Sequence, residues 1–467
     1  MCAIAGAFNT RKAAEKVFSM GHVMQHRAKE FTGIVASDGR KLSIRRGRGI
    51  VQDVFTQNRL DALHGKNAII HLRYSTVKNK PGARVETLVQ PLISEGVALA
   101  HNGNLKNYRR LIKKMAYPEK LKTEIDSEAI LRLLVERKPR GKSPADLAKD
   151  ILASVIGAKG SYSLLLMLDD IMVAVRDPSG NRPLSLGKTI NLDGTTAWYV
   201  ASETVAFDNL GIEFVRDIDP GEILIITKAG LHSFYFAVGN KKQLFDKLQP
   251  GKRAYCIFEL LYYCHPGSNV FGISAVLFRR ACGDKLCQKY PPRLGTKKDR
   301  VIFAVPDSAN EHGKGFAARA KSMLETVLTR NHYVGRTFIG ANQFLRDLEV
   351  IRKFIIMKIF VIGKYLVLID DSIVRMTTAP AVIRLLRLFG VKGIEGRIPT
   401  PPIIWPCHYG INIPTKKELC AANMTKKEIA EACGLDNLEF LTVEDIKTLV
   451  PNPEDFCFDC MTGERSI

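Results

Sequence analysis

The sequence predicts two domains of mixed α/β and α+β class, a strand-rich first half followed by a parallel α/β second half. Three observations predict it. The chain has 467 residues, more than one hydrophobic core ordinarily spans. Up to about residue 235, short apolar runs recur between Gly and Pro turn signals, with only a few helical stretches. Beyond a polar stretch at 239–253, which carries Pro250-Gly251 and reads as a linker, short apolar runs alternate with helical segments. That alternation is the pattern of a parallel sheet with helical crossovers.

Taken in order, 67–72, 97–100, 161–168 and 170–175 read as strands, each a short apolar block with turn residues nearby. Segments 121–138 and 143–156 read as helices. In the second half, 301–305 and 365–369 read as buried strands, and 314–328 and 379–389 as helices. The most hydrophobic window, 354–369, is broken by Lys358 and Lys364, which favours buried strands over a membrane span. There is no internal repeat and no low-complexity tract.

Composition narrows the function. Apolar residues make up 46% of the chain, enough for sizeable cores. Lys and Arg number 69 against 47 Asp and Glu, a formal charge of +22 that suits anionic partners. The basic residues form no single block and no nucleic-acid motif is present, so small phosphorylated substrates rank ahead of nucleic acid. The start lacks the charged segment and apolar core of a secretory signal, so a cytoplasmic location without a membrane partner is expected. Ten cysteines in such a chain point to reduced thiols, a metal centre or catalysis rather than disulfides.

Cys2 directly follows the initiator methionine. Removal of Met1 would leave a thiol and a free α-amine on one residue. Such an amine titrates near ~8, low enough to take the thiol proton at neutral pH. In His101-Asn102-Gly103-Asn104, which follows a strand, Asn102 offers a side-chain N–H and Gly103 a backbone N–H that a substrate can approach closely. Two such donors make an oxyanion hole, although Asn-Gly is also a favoured hairpin turn. Arg73, within His71-Leu72-Arg73-Tyr74-Ser75-Thr76, can grip a carboxylate or form a surface ion pair. Asp126, in Asp126-Ser127-Glu128, can hold an ammonium or cap a helix. Together, Arg73 and Asp126 would recognise the zwitterionic end of an amino acid.

These segments, with Met1-Cys2-Ala3-Ile4-Ala5-Gly6, Gln25-His26-Arg27, Gln90-Pro91, Arg176-Asp177-Pro178, Arg182-Pro183-Leu184 and Ala201-Ser202-Glu203, resemble the class II glutamine amidotransferases in order and spacing. The resemblance implies an Ntn-hydrolase αββα sandwich over 2–238. It makes Cys2 the nucleophile, Asn102 and Gly103 the oxyanion hole, and Arg73 and Asp126 the grips on the glutamine carboxylate and amine. Ala28 and Lys29 stand where that family has Gly-Gln.

In the second half, an apolar strand runs into Asp370-Asp371-Ser372-Ile373-Val374-Arg375-Met376-Thr377-Thr378 ahead of a helix. Ligands bind beyond strand ends in open parallel sheets, hydroxyls and N–H groups at a helix start suit phosphate, and paired acids suit Mg²⁺ and ribose hydroxyls. A capped strand–helix turn is the plainer reading. The segment resembles the phosphoribosylpyrophosphate loop of type I phosphoribosyltransferases. Cys256-Ile257-Phe258-Glu259, Pro306-Asp307-Ser308 and Tyr333-Val334-Gly335-Arg336-Thr337-Phe338-Ile339 narrow the resemblance to the glutamine phosphoribosylpyrophosphate amidotransferases. That family implies a parallel α/β transferase domain with a cluster-binding tail over 254–467. It implies Mg²⁺ at Ser308, Asp370 and Asp371, and phosphoribosylpyrophosphate at Asp370, Asp371, Ser372, Arg375, Thr377, Thr378 and Lys353. Departures from the family pattern are Met376 for Gly, Ala309 for Gly, Ile351 for Arg, and His265-Pro266-Gly267-Ser268 for Arg-Pro-Asp-Ser.

Cys457-Phe458-Asp459-Cys460 is a C-x-x-C pair open to redox, zinc or bland readings. The resemblance joins it to Cys256 and Cys407 as ligands of a [4Fe–4S] cluster, with a Zn–Cys₄ site as the physical rival. The function implied is glutamine hydrolysis at Cys2 with transfer of the ammonia to phosphoribosylpyrophosphate, giving 5-phosphoribosylamine in purine biosynthesis. A loop at 331–353 that closes on substrate, purine nucleotides as inhibitors, and a homo-oligomer (dimer or tetramer) go with it. The alternatives are a homologue with an impaired phosphoribosyl site that acts as a glutaminase, or a non-catalytic nucleotide sensor. Met376 and Ile351 are the residues that favour them.

Overall fold

The computed structural model describes residues 1–74, 89–123, 125–236, 243–247, 251–331, 352–377, 379–413 and 415–466. The first half holds two stacked antiparallel sheets. The seven-stranded sheet orders its strands Glu213–Asp217, Ser185–Ile190, Thr196–Ala201, Ala3–Phe8, Asn67–Arg73, Phe31–Ser37, Leu42–Arg48. The six-stranded sheet runs Gly230–Tyr235, Glu222–Thr227, Ile171–Arg176, Gly160–Leu168, Val97–Leu105, Leu92–Ser94.

Strand alternation explains the layering. Ala3, Ala5 and Ala7 face one way, into a core shared with Val17 and Met20 of helix Ala13–Val23. Ile4 and Phe8 face the other way and meet Ala98, Ala100, Leu165, Met167 and Leu224 between the sheets. On the far side, Leu99, Leu164 and Leu166 pack under helices Asp126–Val135 and Pro144–Val155. The result is the expected four-layer αββα arrangement. Small alanines on the outer face of the first strand let the Ala13–Val23 helix lie close against the sheet.

The second half is built on a parallel five-stranded sheet in the order Leu324–Glu325, Arg300–Ala304, Tyr365–Ile369, Gly393–Ile398, Asn437–Phe440. The helices Ala275–Lys289 and Asn310–Arg319 belong to one core, Ala379–Leu388 and Lys426–Cys433 to the other. Among the described residues no helix is long and apolar enough to cross a membrane.

Three expected elements differ. The strand beginning at Val97 continues to Leu105, pairing Asn102 with Ser163 and Gly103 with Tyr162, so Asn-Gly is in a ladder and not a hairpin turn. The helix expected at 121–138 is Asp126–Val135. The Glu128 carboxylate accepts from the N–H groups of Lys122 and Thr123 and holds the preceding residues outside the helix. The helix expected at 314–328 is Asn310–Arg319, followed by strands Leu324–Glu325 and Leu328–Arg330. Gly313 and Gly315 weaken that segment as an isolated helix. In the fold they admit close packing: a Cβ on Gly315 would lie 2.0 Å from the Arg280 carbonyl oxygen. Of the linker expected at 239–253, residues 239–242 and 248–250 lie outside the described residues, as do Ser75, Thr76, Ile351, Thr378 and the 333–339 motif.

Candidate active sites and a four-cysteine cavity

The first site lies at one edge of the stacked sheets. Cys2 precedes the Ala3–Phe8 strand, whose pairing of Ala3 with Leu72 brings Cys2 beside Arg73. Its thiol lies 3.9 Å from the Tyr74 carbonyl oxygen. Burial lowers the Arg73 guanidinium from its ordinary value, opposed by the charges of Cys2, Glu30 and Asp126, which places these groups around one point. Met1 is present and buried, and burial brings its α-amine down to about 5. The amine donates to the Arg27 carbonyl at 3.4 Å.

The strand that carries Asn102 and Gly103 is fixed from several sides. Asn102 is buried, and its Nδ2 has no acceptor among the described residues. A buried amide N–H without a protein acceptor is the kind of group an oxyanion hole needs. Gly103 has φ +156°, and a Cβ there would sit 2.1 Å from the Ser161 carbonyl oxygen, so only glycine fits. Asp126 Oδ2 accepts from the Leu105 N–H at 2.9 Å, tying Asp126 to the end of the same strand. Burial opposes ionisation of Asp126, but His101 and the N–H groups of Leu105 and Ser127 outweigh it and hold the carboxyl below its usual range. Behind them, His101 Nδ1 lies 2.9 Å from Ser127 Oγ, and Gln90 joins both. His71 Nε2 donates to the His101 carbonyl at 3.0 Å, linking the sheets, and burial pushes His71 down to about 3.

Sequence reasoning missed a buried charge network under this site. Arg27 Nε donates to the Cys2 carbonyl at 3.0 Å. Its Nη atoms reach Glu203 and, bidentately at 3.0 and 2.9 Å, Glu259 of the second half. Arg182 Nη1 reaches the same Glu259 at 3.3 Å, and its Nε donates to the Tyr409 carbonyl. Both arginines and Glu203 belong to motifs read above. The available signal was charge within segments that otherwise read as core, which a single sequence does not distinguish from exposed charge.

The second site lies beyond the C-terminal ends of the parallel strands. Tyr365–Ile369 delivers Asp370 and Asp371, both buried. Asp371 accepts from Ser308 Oγ at 2.5 Å and Ser372 Oγ at 2.6 Å, and its own N–H donates to Asp370 Oδ1 at 3.0 Å. Burial and the neighbouring Asp371 raise Asp370 well above the usual carboxylate range, and burial also raises Asp371 against the pull of the two serines. Among the described residues neither acid forms a salt bridge with Lys or Arg. Two adjacent buried carboxylates beside a hydroxyl suit a hard divalent cation.

The other predicted contacts are looser. Arg375 pairs with Glu418 at 2.9 Å and the Asn412 carbonyl at 3.0 Å, Thr377 is exposed, and the Lys353 carbonyl accepts from the Asn331 N–H at 2.8 Å. Met376 has φ +49° and packs against an apolar core.

Cys256, Cys407, Cys457 and Cys460 line one small enclosed cavity with Asn181 and Arg182. The parallel pairing of Tyr255–Cys256 with Phe456–Cys457 brings the tail to the core. The N–H groups of Ile404 and Trp405 donate to the Cys460 carbonyl, which draws in the Cys407 loop. Burial raises Cys256 to about 11 and puts Cys457 and Cys460 well above the ordinary thiol value. Among the described residues, no group of three or more His, Cys, Asp or Glu is arranged to hold a single metal ion. Four thiols thus line one cavity, with Arg182 beside Cys256 and Cys407.

Residues 75–209 match the family model described as a glutamine amidotransferase domain. The chain is 35% identical over 471 residues to an amidophosphoribosyltransferase of Methanocaldococcus jannaschii, covering 99% of this chain and 97% of that one. It is 35% identical over 477 residues to a chloroplastic amidophosphoribosyltransferase of Glycine max, covering 100% of this chain and 78% of that one. Among solved structures, a glutamine phosphoribosylpyrophosphate amidotransferase of B. subtilis complexed with ADP and GMP superposes with a TM-score of 0.85 at 34% identity, over 99% of this chain and 97% of that chain.

Proposed function

This chain belongs to the amidophosphoribosyltransferase family, and from that premise we propose how its residues carry out the family's reaction, the glutamine-dependent formation of 5-phosphoribosylamine that opens purine biosynthesis. The observation that carries the reading is the strand pairing that sets Cys2 opposite Arg73, with Asp126 bonded to the end of the strand that carries Asn102, whose buried Nδ2 has no acceptor among the described residues.

The division of labour follows 2–238 as glutaminase and 254–467 as transferase with its tail. Arg73 holds the glutamine carboxylate and Asp126 its ammonium. The Cys2 thiol loses its proton to its own α-amine once Met1 is gone, and the sulfur attacks the carboxamide carbon. Asn102 Nδ2 and the Gly103 N–H stabilise the oxyanion. As the tetrahedral intermediate collapses, the amine returns the proton to the departing ammonia, and water then clears the thioester.

At the second site, Asp370 and Asp371 with Ser308 would hold Mg²⁺, which when bound supplies charge neutralisation for the departing pyrophosphate. Ser372, Arg375, Thr377, Thr378 and Lys353 contact the phosphates, and ammonia attacks ribose C1. Cys256, Cys407, Cys457 and Cys460 would hold a [4Fe–4S] cluster that ties the tail to the core. A zinc ion held by the same four thiolates is the physical rival. Purine nucleotides act as inhibitors, the protein is a dimer or tetramer, and it works in the cytoplasm. The B. subtilis protein's ADP and GMP complex supports the nucleotide part. Full-length likeness to named transferases favours this reading over a glutaminase-only or non-catalytic sensor protein.

The test is alkylation with a glutamine-analogue electrophile followed by mass mapping. We expect a single label on an N-terminal cysteine, formed faster with phosphoribosylpyrophosphate present. Label on any other cysteine, or none, refutes the glutaminase assignment.

A further inference from the structure

We propose that Glu259, supplied by the second half, is a positioning residue for glutamine hydrolysis that acts through Arg27. The inference rests on the glutaminase reading of Cys2. Arg27 is fully enclosed, and its three nitrogens have divided tasks: Nε donates to the Cys2 carbonyl at 3.0 Å, while the two Nη atoms engage Glu259 at 3.0 and 2.9 Å. A guanidinium is planar and rigid, so a bidentate carboxylate on one edge fixes the direction of Nε on the other. Glu259 therefore orients the peptide that carries the nucleophile without touching it.

Among the described residues, Glu203 is the first-half carboxylate that also meets Arg27, and it does so at one nitrogen. Its other oxygen is taken by the His265 N–H at 2.7 Å and Ser268 Oγ at 2.8 Å. Glu259 is held in turn by Arg182, whose Nε donates to the Tyr409 carbonyl at 3.0 Å, and that same carbonyl accepts from Ser161 Oγ at 2.6 Å. Ser161 pairs with Asn104 on the oxyanion strand, and the neighbouring Gly410 lies so close that its Cβ would sit 3.3 Å from the Gly103 carbonyl carbon. One connected set of bonds thus runs from the nucleophile's peptide through Glu259 to the back of the oxyanion strand. Glu259 also opens the short helical segment Glu259–Tyr263.

The test compares wild type, Glu259→Gln and Glu259→Asp in the full-length, metal-loaded protein. Three quantities are measured: glutamine hydrolysis, alkylation of Cys2 by a glutamine analogue, and phosphoribosylamine formation from added ammonia. In Glu259→Gln we expect kcat for glutamine and the alkylation rate to fall together by at least tenfold. KM for glutamine should stay within twofold, because Arg73 and Asp126 still hold the substrate, and the ammonia-dependent rate should stay within twofold. Glu259→Asp, which keeps the charge and is the deciding variant if the glutamine form does not fold, should recover part of the alkylation rate. Unchanged glutamine kcat in both variants overturns the proposal, as does parallel loss of glutamine- and ammonia-dependent activity in both. If wild-type Cys2 is itself unreactive towards the analogue, the underlying glutaminase reading fails first, and that result is distinguishable from the other two.

Discussion

Met376 holds a left-handed conformation at φ +49° within the segment that leaves the Asp370–Asp371 pair, a state that costs an L residue about 1–2 kcal/mol and glycine little. Met376→Gly should relieve that cost and open the approach to phosphate. We expect ammonia-dependent pyrophosphate release to rise several-fold, and an unchanged rate would show that the side chain does not limit the reaction. Asp370 carries a second residue-level consequence. Burial, then Asp371, raises it well above the usual carboxylate range. Between the ordinary carboxylate value of about 4 and that raised value, the folded chain holds a proton that the unfolded chain releases, so this group's effect on stability becomes less favourable as pH rises. In the absence of Mg²⁺, Asp370→Asn should raise Tm by a few degrees at pH 7, lose that advantage near pH 4, and abolish transfer. Equal melting temperatures at pH 7 would contradict the assignment. Of the residues proposed for the sites, those within chemical motifs (Cys2, Asn102, Gly103, Asp370, Asp371) can be named from the sequence. Glu259 and Arg182 were visible only as members of motifs. Their burial and their meeting across the two halves depend on tertiary contacts that no local pattern encodes.

At the scale of elements, legibility followed the strength of the local signal. The strand Tyr365–Ile369 is continuous and apolar, and it lies where it was expected. The helix Pro144–Val155 was also clear, with Ser143 accepting from the Asp146 N–H as its cap. The strand Val97–Leu105 extends past its apolar run because ladder pairing with Gly160–Leu168 overrides the turn preference of Asn-Gly. Helix Asn310–Arg319 was misplaced because Gly313 and Gly315 are explained by close packing and not by propensity. The ladder makes Gly103 a sharp test. Gly103→Ala would drive a Cβ to 2.1 Å from the Ser161 carbonyl oxygen, separating the two strands at the oxyanion hole. We expect glutamine hydrolysis to fall by about 10²–10³, the range for losing an oxyanion donor. Ammonia-dependent transfer should persist. Retained glutaminase activity would remove this strand from the site.

Across the whole molecule, the tail closes back on the core through Phe456–Cys457 and the cavity of four cysteines. If those thiols hold a cluster, protein prepared without oxygen contains iron and inorganic sulfide in equal amounts, and its visible absorbance disappears in a Cys457→Ser, Cys460→Ser double variant along with a lowered Tm. Zinc without sulfide would instead make the site a mononuclear one. The larger question is whether two chemistries in two halves form one reaction. The contacts of Arg27 and Arg182 with Glu259, and of Ser161 with Tyr409, join the halves behind Cys2 and behind the Asn102–Gly103 strand. The most direct measurement supplies glutamine carrying a heavy isotope in its amide nitrogen, phosphoribosylpyrophosphate and Mg²⁺, together with excess unlabelled ammonium. Phosphoribosylamine that retains the heavy nitrogen is the expected result. Product whose nitrogen matches the bulk ammonium, or no product that depends on phosphoribosylpyrophosphate, would contradict it.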